Sequence, residues 1–194
     1  MIEQVEAKIR NFKGLNITIV HNPFYDISNN LISLWLARDL LREGFIIING
    51  DDIFNPKVLH DLLQHKSNVC MVIDYKERYS EDDMKVVIQD GCISKVSKKI
   101  DLKEAHGESI GMIKFQKVGC KNFLKILEEM VKVEKNLNVF YLESIQKLIV
   151  EGFQVHYIVC KTDDWAEVDF HPDLEFIKSN IFNFQDVTKK WESS

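Results

Sequence analysis

Phe45-Ile46-Ile47-Ile48-Asn49-Gly50-Asp51-Asp52-Ile53-Phe54 sets a continuous apolar run against a polar close. A run of this kind reads as a strand covered on both faces, with polar groups gathered at its carboxyl end. Immediately upstream, Gly44 follows Leu40-Leu41-Arg42-Glu43 and stops a helix that the pattern places from about Asn30 to Arg42. Before it, Leu15 to Val20 is β-branched and alternating, which predicts a strand, and Ile2, Val5, Ile9 and Phe12 share one helical stripe. Downstream, Asn55-Pro56 opens a helix through Val58, Leu59, Leu62 and Leu63, and Val69 to Ile73 is a second apolar strand ending at Asp74. Asp90-Gly91 between Met84–Gln89 and Cys92–Ser97 is a strong hairpin signal. Ser109 to Phe115 reads as a strand. Helices follow near 120–133 and 141–151, the first carrying Phe123, Leu124, Leu127 and Met130 as a core stripe. Val155–Val159 and Trp165–Asp169 read as short strands, and Pro172–Phe182 as a last helix. The alternation predicts an α/β fold with a mostly parallel sheet and one inserted β-hairpin.

The chain has 194 residues, a size that predicts a single domain over 1–194. With 25 Lys+Arg against 30 Asp+Glu the net charge is −5, which does not suit an electrostatically driven nucleic-acid binder. The four cysteines (Cys70, Cys92, Cys120, Cys160) form no Cys-x-x-Cys pair, which speaks against a structural zinc site and a dense disulfide scaffold. Met1-Ile-Glu-Gln-Val-Glu lacks the regions of a signal peptide, and no apolar run reaches spanning length. A cytoplasmic protein acting on neither nucleic acid nor membrane is expected.

Ligands of open parallel sheets sit beyond the carboxyl ends of the strands. Asp51 and Asp52 fall there, and a hard divalent cation such as Mg²⁺ takes carboxylate oxygens, usually beside substrate phosphates. The alternative is that one of the two caps the helix near Pro56 and the other is solvated. In Trp165-Ala166-Glu167-Val168-Asp169, alternation sends Glu167 and Asp169 to one face, either as a second acidic site or as a solvated edge. Asn29 and Asn30 either orient a ligand or cap the helix that follows.

These residues reach a resemblance. The order Val20-His21-Asn22-Pro23, Asn29-Asn30-Leu31-Ile32-Ser33, Phe45 to Phe54, Asp74, Asp83-Met84-Lys85-Val86, Asp90-Gly91, Gly107-Glu108-Ser109-Ile110-Gly111, Glu167-Val168-Asp169 and Pro172-Asp173-Leu174 resembles the nucleotidyltransferase family that makes nucleotide-activated small molecules. The Gly-Glu-Ser-Ile-Gly segment is most similar to the branch of phosphocholine and aminoalkylphosphonate cytidylyltransferases. The family opens with a strand and a Gly-rich Leu-Ala-Ala-Gly-x-Gly-x-Arg loop that cradles the nucleotide, followed by a Lys. This sequence has neither, so the expected fold is a Rossmann-like nucleotidyltransferase fold that is N-terminally truncated.

The resemblance implies Mg²⁺-dependent cytidylyl transfer from CTP, or another nucleoside triphosphate, onto a small phosphorylated acceptor, phosphocholine-like or aminoalkylphosphonate-like. Asp51 and Asp169 match the family's metal-binding aspartates, with Glu167 beside the ion; Asp52 has no matching role and is expected to cap a helix. Lys98 falls where the family has a lysine near the acceptor phosphate. Glu108, Asn29, Asn30, Trp165 and Tyr141 fall near the acceptor, where a carboxylate and aromatic rings suit a cationic head. A sugar-1-phosphate nucleotidyltransferase and a non-catalytic binding module are the other readings. The missing βα unit is expected to expose a strand edge beside Phe45–Ile48. Leu15–Val20 can move in to close it; otherwise a second copy covers it, and a homodimer is expected.

Overall fold

The computed structural model describes residues 2–9 and 14–168. Helix α1 spans Ile2–Ile9 and α2 spans Asn30–Leu36, the latter followed by a 3-10 turn at Arg38–Leu40. Then come β1 (Gly44–Ile47), β2 (Asp52–Phe54), α3 (Pro56–Gln64) and β3 (Val69–Asp74). The hairpin is β4 (Lys85–Gln89) with β5 (Cys92–Ser97), and β6 is the long strand Gly107–Gln116. Helices α4 (Lys117–Lys132) and α5 (Leu142–Val150) lead to β7 (His156–Cys160) and β8 (Trp165–Glu167). The expected helix Pro172–Phe182 and the expected site residue Asp169 lie outside the described residues.

The α/β class and the inserted hairpin stand, while the strand directions differ from the mostly parallel expectation. Strand β3 pairs β7 in parallel, but β6 is antiparallel to β1, β3 and β4. The reason is topological. Strands β1, β3 and β7 do run one way, as helical crossovers require, and β6 returns between β1 and β3 as the continuation of the hairpin. In the turn, Asp90 and Gly91 both take positive φ (51° and 76°), the conformation that matches the twist of a two-residue hairpin.

Helices cover both sheet faces. On one side, Val69, Met71 and Ile73 of β3 and Ile113 and Phe115 of β6 pack against α2, α4 and α5. Phe115 stacks on Phe45 with centroids 4.6 Å apart and lies 4.4 Å from the Phe123 ring, so the α4 stripe is core as expected. On the other side, Cys70, Val72, Ile110 and Met112 meet Val58 and Leu62 of α3. Cys70 is therefore packing.

Two expectations change. Leu15–Val20 belongs to no ladder among the described residues, and Leu15, Ile17, Ile19 and Val20 are exposed. Its alternation is that of a strand, but it does not move against β1. Strand β1 in turn pairs with β6 alone among the described strands, which leaves Phe45, Ile46 and Ile47 half-buried and Ile48 exposed rather than covered on both faces.

Two strands share one edge of β6 end to end, and this positions the site. Strand β1 pairs with residues 113–116 and β4 with residues 107–108. The segment between them bulges. The β3 ladder steps from Met71↔Ile113 to Ile73↔Ser109, placing extra residues on β6 around Gly111.

Candidate active site

A cavity of about 1040 Å³ opens over that bulge, lined by the β1–β2 loop, the start of β6, the segment around Lys76–Met84, Lys98, Phe140–Leu142, Trp165 and Glu167. Gly111 is required there by two facts. Its φ is +77°, and a Cβ on it would lie 2.2 Å from Asn49 Nδ2. Asn49 is thereby seated against β6, and the Tyr141 hydroxyl, 3.3 Å from both Asn49 Oδ1 and the Gly111 carbonyl, donates to them. Tyr141 is buried, and burial together with the charges of Asp52 and Asp51 raises its hydroxyl pKa. It acts as a brace for the β1–β2 loop rather than as an exposed stacking surface.

That loop delivers the carboxylates. Asp52 begins β2, which pairs antiparallel with β8 in the register Asp52↔Glu167, Ile53↔Ala166 and Phe54↔Trp165. The Val168 amide donates to the Asp51 carbonyl at 3.0 Å, extending the ladder by one bond. Asp51, Asp52 and Glu167 each place a carboxylate oxygen within 4.8 Å of the others. Among the described residues neither carboxylate oxygen of Asp52 has a hydrogen-bond partner, although both are buried. Burial first, then the charges of Asp51 and Glu167, push the Asp52 carboxyl up to about 7 from 3.8, against a small opposing contribution from the Asn49 backbone.

Asp52 thus departs from the expected capping role. The cap of α3 is Asn55, whose Oδ1 accepts from the Lys57 amide at 3.0 Å. Asn55 also fastens the segment before β8, since its amide donates to the Asp164 carbonyl at 2.7 Å and its Nδ2 to Asp164 Oδ1 at 3.2 Å.

The other expected residues divide. Lys98 lines the cavity, with Nζ 4.9 Å from the centroid of the Phe140 ring. Asn30 lines it too, and its Oδ1 accepts from the Tyr141 amide. Asn29 is the cap of α2, its side chain accepting from the Asn30 amide at 2.8 Å, and it does not line the cavity. Trp165 is held edge-on by Asp74, whose Oδ2 accepts from Nε1 at 2.9 Å while Oδ1 accepts from Thr162. Glu108 is 3% exposed and is paired with Lys76, Nζ to Oε1 at 2.5 Å.

Sequence reasoning missed Lys76 and gave Asp83 no role beyond its place in the Asp83-Met84-Lys85-Val86 motif. Asp83 lies 3.4 Å from the same ammonium and accepts from the Ser80 amide and hydroxyl, both at 2.8 Å. The loop carrying it is pinned by Lys85, a 1%-exposed side chain whose ammonium donates to the Ser80, Glu81 and Asp83 carbonyls. The available signal was Asp74-Tyr75-Lys76 at the carboxyl end of an apolar strand, the same placement that drew attention to Asp51.

No protein-family model matches the sequence, and no curated protein matches it. Solved structures do match. The chain superposes on the inositol-1-phosphate CTP transferase of T. maritima with a TM-score of 0.74 at 18% identity, covering 95% of this chain and 73% of that one. The fold is that of the nucleotidyltransferases. CTP:phosphocholine cytidylyltransferase of Streptococcus pneumoniae gives a TM-score of 0.73 at 14% identity, over 93% of this chain and 74% of that one. A nucleoside-diphosphate-sugar pyrophosphorylase of Vibrio cholerae RC9 gives 0.61 at 13% identity, over 90% and 73%. The loop after β1, Lys76 beyond the end of β3, Trp165 and Glu167 of β8 and the Gly111 bulge all line one cavity. Among the described residues no helix is long and apolar enough to cross a membrane.

Proposed function

We propose that this chain carries the site for divalent-cation-dependent nucleotidyl transfer, cytidylyl from CTP, onto a small acceptor bearing a phosphate or phosphonate. The observation that carries the reading is the Asp51–Asp52–Glu167 cluster lining a cavity of about 1040 Å³, with Asp52 oxygens that have no hydrogen-bond partner among the described residues. That donor set suits a hard cation such as Mg²⁺, which prefers carboxylate oxygens. Asp51, Asp52 and Glu167 would hold it, with Asp169 the further carboxylate that the sequence resemblance suggests. Bound there, Mg²⁺ supplies neutralisation of phosphate charge.

The chain's own residues do the rest. An oxygen of the acceptor phosphate forms a bond to the α-phosphorus, the bond from that phosphorus to the β-phosphate bridge breaks, and pyrophosphate leaves. No side chain is covalently modified; the work is positioning and charge stabilisation. In this reading Lys98 meets a phosphate, and Asn30 and Ser109 orient the acceptor, all three lining the cavity. Tyr141, Asn49 and Gly111 keep the carboxylate loop in register. The solved neighbours include an inositol-1-phosphate CTP transferase and a CTP:phosphocholine cytidylyltransferase, so the fold accommodates acceptors with and without a cationic head. A sugar 1-phosphate is the second acceptor class, supported by the V. cholerae neighbour.

The test is transfer of label from α-labelled CTP, and in parallel UTP, GTP and ATP, onto a panel of small phosphates and phosphonates. Label on an acceptor that needs Mg²⁺ and disappears with Asp51→Asn supports the reading. No label with any nucleotide, or label indifferent to Asp51→Asn, contradicts it.

A further inference from the structure

The same cavity holds a charge arrangement that the transfer chemistry does not use. Glu108 is nearly fully buried, Asp83 lies beside it, and the Trp165 ring is fixed by its bond to Asp74. Buried carboxylates beside the face of a fixed tryptophan form a typical seat for an alkylammonium ligand. The seat is taken. The ammonium of Lys76 lies 2.5 Å from Glu108 Oε1, 3.4 Å from Asp83 Oδ1 and 5.9 Å from the Trp165 centroid.

The arrangement is built rather than incidental. Lys76 follows the end of β3, Glu108 lies opposite Asp74 in the β3–β6 ladder, and Lys85 fixes the loop that presents Asp83. Burial pulls the Lys76 ammonium down, but Glu108 and Asp83 together outweigh it and hold it charged. A second ammonium in this seat would face a cation already bonded to both carboxylates. What remains for a ligand are hydroxyl and carboxylate groups, with Ser80, Asp82, Asp83 and Ser109 lining the wall.

We infer that Lys76 is a built-in cation that sets acceptor specificity, excluding ammonium-bearing headgroups and selecting an uncharged, hydroxyl-rich one such as a polyol phosphate. This rests on the proposed transfer reaction for the word acceptor, but the charge exclusion is testable without it. It also departs from the cationic head expected from the sequence, because Glu108 is already neutralised from within.

The experiment follows thermal stability of the full chain with choline chloride, against sodium chloride at equal ionic strength, with no nucleotide or metal. Wild type should show no specific shift. Lys76→Met, which keeps the stem and removes the charge, should be stabilised saturably by choline, on the order of tenfold tighter than wild type. Lys76→Met combined with Glu108→Gln should lose that gain and serves as the folding control. A choline shift in wild type, or none in Lys76→Met, overturns the inference. Should Lys76→Met not fold, the wild-type comparison decides it. With Mg²⁺ and CTP, glycerol phosphate or inositol phosphate should raise wild-type stability and phosphocholine should not, and preference for phosphocholine overturns it. Failure of label transfer with every acceptor would sink the proposed reaction while leaving the choline result readable.

Discussion

Asp52 sits directly opposite Glu167 across the two-stranded β2–β8 ladder, with Asp51 completing the cluster. Like charges at this range repel, and an unpartnered buried carboxylate is costly to ionise. A short ladder that gathers such groups stores a demand for a counter-ion, which is what a cation site needs before the cation arrives.

That demand has a pH signature. The Asp52 carboxyl is raised from 3.8 to about 7 in the folded chain. A raised folded pKa means that the stabilising contribution is fully present below the unfolded value and is lost as pH rises through the folded one. In chelator, Asp52→Asn should therefore be more stable than wild type at pH 8. The gap should shrink as pH falls through about 7 and close near 4. Saturating Mg²⁺ should reverse the order at pH 8. Thermal denaturation of both chains from pH 4 to 8 reads this directly, and a pH-independent gap would contradict it.

Gly111→Ala places a methyl in contact with Asn49 at a positive φ. Left-handed backbone costs a non-glycine residue about 1–2 kcal/mol, and the displaced Asn49 adds to it. We expect a loss of roughly 1–3 kcal/mol in denaturant titration together with weakened divalent-cation binding, since Asn49 leads the loop to Asp51 and Asp52. Unchanged cation affinity would show that the bulge supports the fold but not the site.

Among the described residues β1 is paired on one edge only and Leu15, Ile17, Ile19 and Val20 are exposed, which favours self-association, because unpaired strand edges recruit further strands. Light scattering at micromolar concentration should give about twice 22.7 kDa. A mass near 22.7 kDa would rule the homodimer out.

The sequence made some of this legible and hid the rest for physical reasons. The hairpin was readable because Asp90-Gly91 has few other uses between two β-branched runs. Asp51 and Asp52 were readable as carboxylates at a strand end, and Glu167 from the alternation of its segment. Whether Asp52 joins the cluster or caps a helix was not readable, since that depends on a three-residue pairing with a segment distant in sequence, and local spacing favours capping just as well. Leu15–Val20 shows the reverse failure, for alternation records a strand's chemistry and not whether a partner edge exists. Lys76 looked like any solvated lysine, because burial against Glu108 comes from the β3–β6 register and not from its neighbours in the chain.

The central claim is that Asp51, Asp52 and Glu167 together hold one divalent cation beside a nucleotide. Titration of Mn²⁺ into the full chain, followed by loss of the free-ion electron paramagnetic signal, measures this most directly. The account predicts one equivalent bound by wild type, tighter with CTP present, and affinity reduced on the order of tenfold or more in Asp51→Asn and Asp52→Asn, whose folds are retained. Wild type that leaves the Mn²⁺ signal unchanged, or variants that bind as well as wild type, would contradict it.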